Sequence, residues 1–295
     1  MTEPQLVGGG DLGEPRYLRS PAGAVLFQRR AERLAALAPG HSAGDFLELL
    51  SRLCSAQREA AERLRLSPNG RDLPPSRPLD VSAPPPPEWR EALGTILRTL
   101  EKVPMPAPAR EAVHALARAG AGSLDALADR ILRGALEPAE LALAPFASAA
   151  LQVTYGALAA GVAAESLERV ADAGCPVCGF PPVAGLVLGD DKLRYLVCGL
   201  CGSEWHLTRL NCALCRKQDH VSYYSVEGDT GPAKAEACDG CKAYTKLLYV
   251  EKAPHLEPFA DDLATLALDM LMAERGYLRN GRNLFLASAE PGEPA

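Results

Sequence analysis

Most cysteines of this chain occur in C-x-x-C pairs, a spacing that is typical of metal binding. Two thiolates from one such turn, here called a knuckle, can bind one ion, and a tetrahedral site needs two knuckles. Eight of the nine cysteines form four knuckles, which are Cys175/Cys178, Cys198/Cys201, Cys212/Cys215 and Cys238/Cys241. The sequence therefore predicts two bound metal ions, with zinc or iron as the metal.

The spacing of the knuckles favours pairing between neighbours. Nineteen residues separate Cys178 from Cys198 and twenty-two separate Cys215 from Cys238, close to the interval of a four-cysteine zinc module. Each interval reads as a hairpin, and a third strand follows at 204–210 and at 243–250. The offset of 37 residues from Cys175 to Cys212 indicates a tandem duplication. Spacing alone also allows interleaved pairing, with the first and third knuckles sharing one ion.

Four thiolates per ion predict a structural metal rather than a catalytic one, because no coordination position is left for substrate. We therefore expect the protein not to be an enzyme. A glycine follows the second cysteine in the first two knuckles (Gly179 and Gly202), as in rubredoxin, which favours iron at the first site. Arg216 and Lys242 take those positions in the other two knuckles, which look more like an ordinary zinc ribbon.

The elements that must position the knuckles give a multidomain chain of α plus small β class. Helical spacing predicts an all-α N-terminal domain, followed by two tandem rubredoxin-like or zinc-ribbon modules and a C-terminal helix. The predicted helices span about 25–37, 45–64, 88–100, 109–119, 123–133 and 138–170, and a last helix from Asp261 ends at Gly276. The predicted boundaries are a disordered tail (1–15), the helical domain (16–170), the first module (171–210), the second module (211–252), the C-terminal helix and extension (253–287) and a disordered tail (288–295). Prolines make 67–87 an extended connection.

Composition narrows the class of partner. The 295 residues carry a net charge of −6, which argues against sequence-independent binding to nucleic acid. Residues 175–252 hold nine basic and nine acidic side chains, so eight thiolates and two divalent ions leave that region at about −4. No apolar run is long enough for membrane insertion, and the N-terminus lacks the features of a secretory signal. Cysteine-rich chains without export signals favour metal ligation in the reducing cytoplasm, where we expect this protein.

With these segments in view, the chain resembles the FdhE family of formate dehydrogenase accessory proteins. The resemblance rests on CPVCGFPP (175–182), LRYLVC (193–198), CGSEWH (201–206), KAEAC (234–238), CKAYTK (241–246), ADDLATLALD (260–269) and ERGY (274–277), and more weakly on FQRRAERL (27–34). It implies an all-α domain followed by two rubredoxin-like modules, with all eight family ligand cysteines present. It also implies a role in assembling formate dehydrogenase through contact with its catalytic subunit.

The lesser candidates concern the partner surface and the remaining polar residues. We expect Glu204, Trp205 and Tyr244 to form an exposed edge that binds the partner, with Trp205 as a core residue the equal alternative. Cys54 is interpreted as a small core residue and His206 as a strand-surface residue rather than a ligand. The sequence leaves a homodimer open. Two other functions stay open: a rubredoxin-type iron protein for electron transfer or redox sensing, and a nucleic-acid-binding zinc ribbon.

Overall fold

A computed structural model of the chain describes residues 15–64, 66, 74–170, 172–209, 211–218 and 220–286. The predicted tail at 288–295 and nearly all of the tail at 1–15 lie outside these residues, as do residues 67–73 of the proline-rich connection. Within the described ranges, no helix is both long enough and apolar enough to cross a membrane.

Six helices form the N-terminal part, and most of them match the predicted positions. They are α1 (Ala24–Leu37), α2 (Gly44–Arg63), α3 (Trp89–Leu100), α4 (Ala107–Arg118), α5 (Ala121–Arg133) and α6 (Ala144–Ala160). The single helix predicted over 138–170 is wrong. Pro145 lies in the first turn of α6, where its missing N–H costs nothing, and Gly161 follows the last turn. Two short 3₁₀ turns, Pro138–Glu140 and Ala164–Ser166, flank α6 instead.

Helix α6 is the centre of this part because it is apolar on every side. Nearly all of its residues are buried, and it packs against α2, α3 and α5. A helix without a polar face must be surrounded by other elements, whereas its amphipathic neighbours expose one face. The all-α description needs one correction. Leu18–Arg19 forms a short strand, β1, that belongs to the sheet of the C-terminal part.

One sheet of eight strands contains both predicted modules. The first module supplies β2 (Pro182–Leu188), β3 (Leu193–Cys198) and β4 (Glu204–His206), and the second supplies β5 (Val221–Tyr224), β6 (Ala233–Cys238) and β7 (Ala243–Tyr249). The order is β1-β4-β3-β2-β7-β6-β5, and β8 (Leu278–Arg279) pairs with β7. Pairing within each module is antiparallel, and the parallel pair β2–β7 joins the modules. The duplicated units therefore share one continuous sheet.

Strand β4 ends at His206, four residues before the predicted end. The chain turns there because the buried Arg194 side chain on β3 forms hydrogen bonds with backbone carbonyl groups that follow His206 in the chain. The Arg194 guanidinium donates to the carbonyls of Leu207 (3.2 Å), Thr208 (2.8 Å) and Asn211 (2.7 Å). Carbonyl groups bonded to this side chain are not available to a sheet partner.

The predicted C-terminal helix is divided into α7 (Pro258–Leu263) and α8 (Leu266–Glu274). The Lys246 ammonium on β7 donates to the carbonyls of Asp262 (2.8 Å) and Thr265 (3.1 Å), and the Thr265 hydroxyl donates to the Asp261 carbonyl (2.8 Å). These bonds replace helical ones at the break. Gly276 follows α8 with φ +77°, as its predicted role in ending the helix requires.

The hydrophobic core runs across the predicted boundary at residue 170. The larger cluster joins α1 to α6 with the first pair of knuckles, through residues such as Val177, Phe180 and Leu200. A smaller cluster lies between the sheet and the α7–α8 segment. The first pair of knuckles is therefore packed as part of the helical core.

Candidate metal centres

The four knuckles meet in two groups, each of four sulfur atoms. Cys175, Cys178, Cys198 and Cys201 form the first site, and Cys212, Cys215, Cys238 and Cys241 form the second. In each group all sulfur atoms lie within 4.8 Å of one another. Pairing between neighbouring knuckles is therefore confirmed, and the interleaved alternative is wrong.

The distances between sulfur atoms fit a tetrahedral ion. In the first site, Cys178 Sγ lies 3.4 Å from Cys198 Sγ and 3.7 Å from Cys201 Sγ. In the second site, the pairs Cys212–Cys241 and Cys215–Cys238 are each 3.7 Å apart. A metal–sulfur distance of about 2.3 Å gives a tetrahedral edge of about 3.8 Å, whereas a disulfide needs about 2.05 Å. All these cysteines are unbridged, so both donor sets fit a thiolate-bound ion.

The first site is covered by parts of the chain far apart in sequence. Backbone N–H groups of Leu79 and Val81 donate to the carbonyls of Val177 (2.9 Å) and Cys178 (3.0 Å), along the first knuckle. Residues 79–81 of the proline-rich connection are thus hydrogen-bonded to the first knuckle instead of forming an unattached surface segment. From α6, the Gln152 amide donates to the Gly199 carbonyl at 3.0 Å.

Glycines of the first site allow close contact with these covering elements. A Cβ at Gly199 would lie 2.4 Å from the Arg282 carbonyl, and one at Gly202 would lie 2.9 Å from Leu26 Cδ2 on α1. Gly202 and Gly179 also adopt φ of +74° and +76°, a conformation that side chains disfavour. Glycine is therefore favoured in these knuckles both by the backbone conformation and by close packing against the covering elements.

Hydrogen bonds and burial shape the chemistry of the first-site thiols. The N–H groups of Leu200 and Cys201 each donate to Cys198 Sγ at 3.4 Å, and Cys201 Sγ lies 3.3 Å from the buried Ser203 hydroxyl. Burial raises the pKa of the Cys175 thiol well above its usual value. A bound cation would stabilise the thiolate forms, so metal binding releases protons.

The second site is less covered. Cys215 and Cys241 are partly exposed, whereas every ligand of the first site is buried. Burial raises the pKa of the Cys212 thiol to about 12, while a backbone hydrogen bond lowers the pKa of Cys215 to about 7. Arg216 and Lys242 adopt φ of +62° and +52°, so they share the left-handed backbone of the glycines in the first site.

A buried ion pair connects the two modules. Arg194 on β3 donates to Glu236 on β6, and both side chains are almost fully buried. Tyr223 donates to the other Glu236 oxygen at 3.1 Å. Because Arg194 also bonds the chain between the modules, this residue fixes the second module relative to the first. Its role was not predicted, since a single arginine within a strand gives no pattern.

The exposed aromatic edge predicted for partner binding does not form. Trp205 is 1% exposed and Tyr244 is 3% exposed. Trp205 is buried because β4 lies between β3 and β1, and its ring enters the helical core. Tyr244 donates to Asp269 at 2.6 Å, beneath α8, and burial followed by this bond raises the pKa of its hydroxyl. Glu204 is partly exposed and forms an ion pair with Arg19 at 3.5 Å.

Neither His206 nor Cys54 belongs to a metal group. His206 packs edge-on against Tyr195, and burial followed by nearby arginines lowers the pKa of the imidazole. Cys54 is fully buried on α2, where burial raises the pKa of its thiol to about 12. The prediction that Cys54 is a core residue is confirmed.

Comparisons with known proteins match this chain along almost its whole described length. Family models for the FdhE N-terminal, central and C-terminal domains match residues 15–172, 174–209 and 210–286. A protein named FdhE homolog from Pseudomonas aeruginosa is 39% identical over 92% of this chain and 93% of its own. One from Stutzerimonas stutzeri is 38% identical over 92% and 91%. The crystal structure of the FdhE protein from Pseudomonas aeruginosa superposes with a TM-score of 0.83 at 35% identity, covering 92% of this chain and 99% of that one.

Proposed function

The chain belongs to the FdhE family, and from this we propose that it is a non-enzymatic accessory protein for the maturation of formate dehydrogenase. In this proposal it binds the catalytic subunit of that enzyme in the cytoplasm, where reducing conditions keep its thiols free for metal. Two ions, one in each four-cysteine site, hold the surface that the subunit contacts. The observation that carries the proposal is the gathering of all eight family cysteines into two tetrahedral groups within a family match over the whole fold.

The donor sets support a structural use of the metal. Four sulfur atoms fill a tetrahedral coordination sphere and leave no position for substrate. When bound, the ion supplies free energy of folding to the short hairpins, which bury too little apolar surface to be stable alone. The second module also depends on the sheet, through β2–β7 pairing and the Arg194–Glu236 ion pair.

We propose iron or zinc as the metal, with iron favoured at the first site. Gly179 and Gly202 support this choice because they lack the side chains that Arg216 and Lys242 carry at the same left-handed positions, as in the knuckles compared above with rubredoxin. The same observation supports the second candidate function, a rubredoxin-type redox protein. Anaerobic purification followed by visible absorption and voltammetry separates the two. A reversible iron couple supports the redox protein, and colourless protein with stoichiometric zinc excludes it.

The maturation role is tested by capture and by activity. A tagged full-length chain, expressed in cells that make formate dehydrogenase, is expected to retain the catalytic subunit under reducing conditions. The Cys178→Ser/Cys215→Ser variant, which lacks one ligand at each site, is expected to lose it. Arg29→Met is the control because Arg29 is exposed on α1 and distant in sequence from the knuckles.

Deletion of the gene completes the test. We expect formate-dependent dye reduction in cell extracts to fall while the amount of catalytic subunit stays the same. Unchanged activity in the deletion strain, together with no capture of the subunit by the wild-type chain, contradicts the proposal.

A further inference from the structure

The two sites share one backbone plan, yet the residues between their ligands are exposed to different degrees. In the first site, Val177 and Leu200 are 0% and 2% exposed. In the second site, the matching Leu214 is 43% exposed, and Asp239 and Gly240 are exposed as well. Ala213 is buried at 2% exposure, so the second pair of knuckles faces solvent on one side, at Leu214, Asp239 and Gly240.

Release of an ion from the first site requires movement of the core. Its ligands belong to the larger hydrophobic cluster, and Leu26, Gln152 and Arg282 contact the second knuckle from three different elements. A chelator reaches such ligands only after these elements separate. That opening has a free energy close to that of global unfolding.

The ligands of the second site lie outside that protection. Among the described residues, none of its four cysteines belongs to either hydrophobic cluster, and Cys215 and Cys241 are partly exposed. Exchange of a thiolate-bound ion proceeds by replacing one ligand at a time, so one accessible sulfur is enough to start it.

The knuckles of the second site also bind their ion against a local conformational cost. Arg216 and Lys242 carry side chains at positive φ, where the first site has glycines. Coordination offsets this cost while the ion is present. Arg216 and Lys242 can relax as their knuckles open, and this relief of strain lowers the barrier to opening of the second site.

The strands that carry the second site are held by contacts away from the metal. Glu236 on β6 is fixed by Arg194, and Lys246 on β7 lies 3.1 Å from Asp262 and 2.6 Å from Asp269. The knuckles can therefore open at the strand ends while the sheet persists.

We propose that the second site is a metal-exchange site, which gives up its ion to a chelator in solution and accepts another thiolate-binding divalent ion while the fold remains intact. The first site keeps its ion for as long as the chain is folded. This inference rests on the proposal that both sites bind metal, and it adds a division of roles between them.

The test is the kinetics of zinc release from the zinc-loaded, full-length chain. Excess 4-(2-pyridylazo)resorcinol is added and its absorbance followed. One equivalent of zinc is expected to leave at least about tenfold faster than the other. The fast release needs only local opening, whereas the slow release needs nearly global opening. After the fast phase, N-ethylmaleimide and peptide mass analysis are expected to show labelling only at Cys212, Cys215, Cys238 and Cys241. The proposal is overturned if both equivalents of zinc leave in one phase. It is also overturned if the cysteines labelled first are those of the first site, Cys175, Cys178, Cys198 and Cys201.

Two matched glycine variants test the cause of the slow phase. Gly202→Ala forces a Cβ against Leu26 at a position with φ +74°, and Gly228→Ala introduces the same strain at φ +77° in open space. The first variant is expected to accelerate the slow phase several-fold and the second to leave both phases unchanged. An unchanged slow phase in Gly202→Ala contradicts the role of the covering elements.

The outcomes separate this inference from the proposed function. A folded chain that binds fewer than two zinc ions in the presence of excess zinc defeats the metal platform itself. Two ions that leave at equal rates defeat the exchange site alone.

Discussion

Replacement of Arg30 by Met is predicted to destabilise the whole fold, because Arg30 is a charged residue on the buried face of α1, beside Phe27 and Leu34. The Arg30 side chain is 1% exposed. Its guanidinium donates to Glu257, the N-cap of α7, at 3.1 Å and to Gln152 on α6 at 3.2 Å, and it lies 3.6 Å from the centre of the Phe259 ring. Gln152 in turn bonds the first metal site, so one arginine connects α1, α6 and α7.

The magnitude follows from the burial of both charges. Removing one member of a buried, hydrogen-bonded ion pair leaves the other charge uncompensated and costs about 3–5 kcal/mol. A chain of 295 residues unfolds with an entropy of about 0.6 kcal/mol/K. Arg30→Met is therefore expected to lower Tm by about 5–8 °C. Glu257→Gln retains an acceptor for the Ala260 N–H, so the double variant is expected to recover more than about 1 kcal/mol relative to additivity.

The assay is urea and thermal unfolding of the zinc-loaded chain, followed by far-UV circular dichroism. Arg29→Met is the matched control, because Arg29 is the exposed neighbour of Arg30 on the same helix. The reasoning is refuted if Arg30→Met unfolds within about 0.5 kcal/mol of Arg29→Met, the range of ordinary surface substitutions. Additive effects of Arg30→Met and Glu257→Gln also refute it.

Three further predictions concern other buried groups. Lys246→Met removes the hydrogen bonds of Lys246 to the Asp262 and Thr265 carbonyls, while Asp262 keeps its ion pair with Arg279. It is expected to cost about 1–3 kcal/mol and to accelerate hydrogen exchange of α7 and α8; partly exposed Lys234→Met is the control, and equal exchange in the two variants refutes this. Although burial acts to raise it, the charges of Lys246 and Arg279 hold the pKa of Asp262 below its ordinary value of 3.8. The stability that Asp262 contributes is therefore fully present above pH 3.8 and is lost as the pH falls through the lower pKa of the folded state. Loss of hydrogen-exchange protection in α7 already above pH 5 would contradict this role of Asp262. Cys54, whose pKa is about 12, is expected to resist iodoacetamide at pH 8 until urea unfolds the chain, and rapid labelling of the native protein contradicts this.

The metal sites were predictable because their signal is local. Two cysteines in one turn must share an ion, and the repeat of 37 residues from Cys175 to Cys212 identified which turns belong together. The hairpins between knuckles followed from β-branched runs and turn residues. Spacing favoured pairing between neighbouring knuckles but also allowed interleaved pairing, and the positions of the sulfur atoms in the structure decided between the two.

The rest depends on partners distant in sequence. Arg30 is a charged residue on the apolar face of α1, and its burial is explained by Gln152 and Glu257, which lie 122 and 227 residues later in the chain. Lys246 likewise divides the C-terminal helix by binding its carbonyl groups, which no periodicity shows. The sequence left Trp205 equally at an exposed edge or in the core, because its burial depends on the pairing of β4 with β1, a two-residue strand near the N-terminus.

The number of metal ions bound per chain decides whether the two four-cysteine groups are metal sites. Native mass spectrometry of the full-length chain, purified anaerobically under reducing conditions, is predicted to show one folded species that carries two zinc or iron ions. A folded, reduced chain without metal, or a mass that reveals disulfides among the eight knuckle cysteines, would contradict the account.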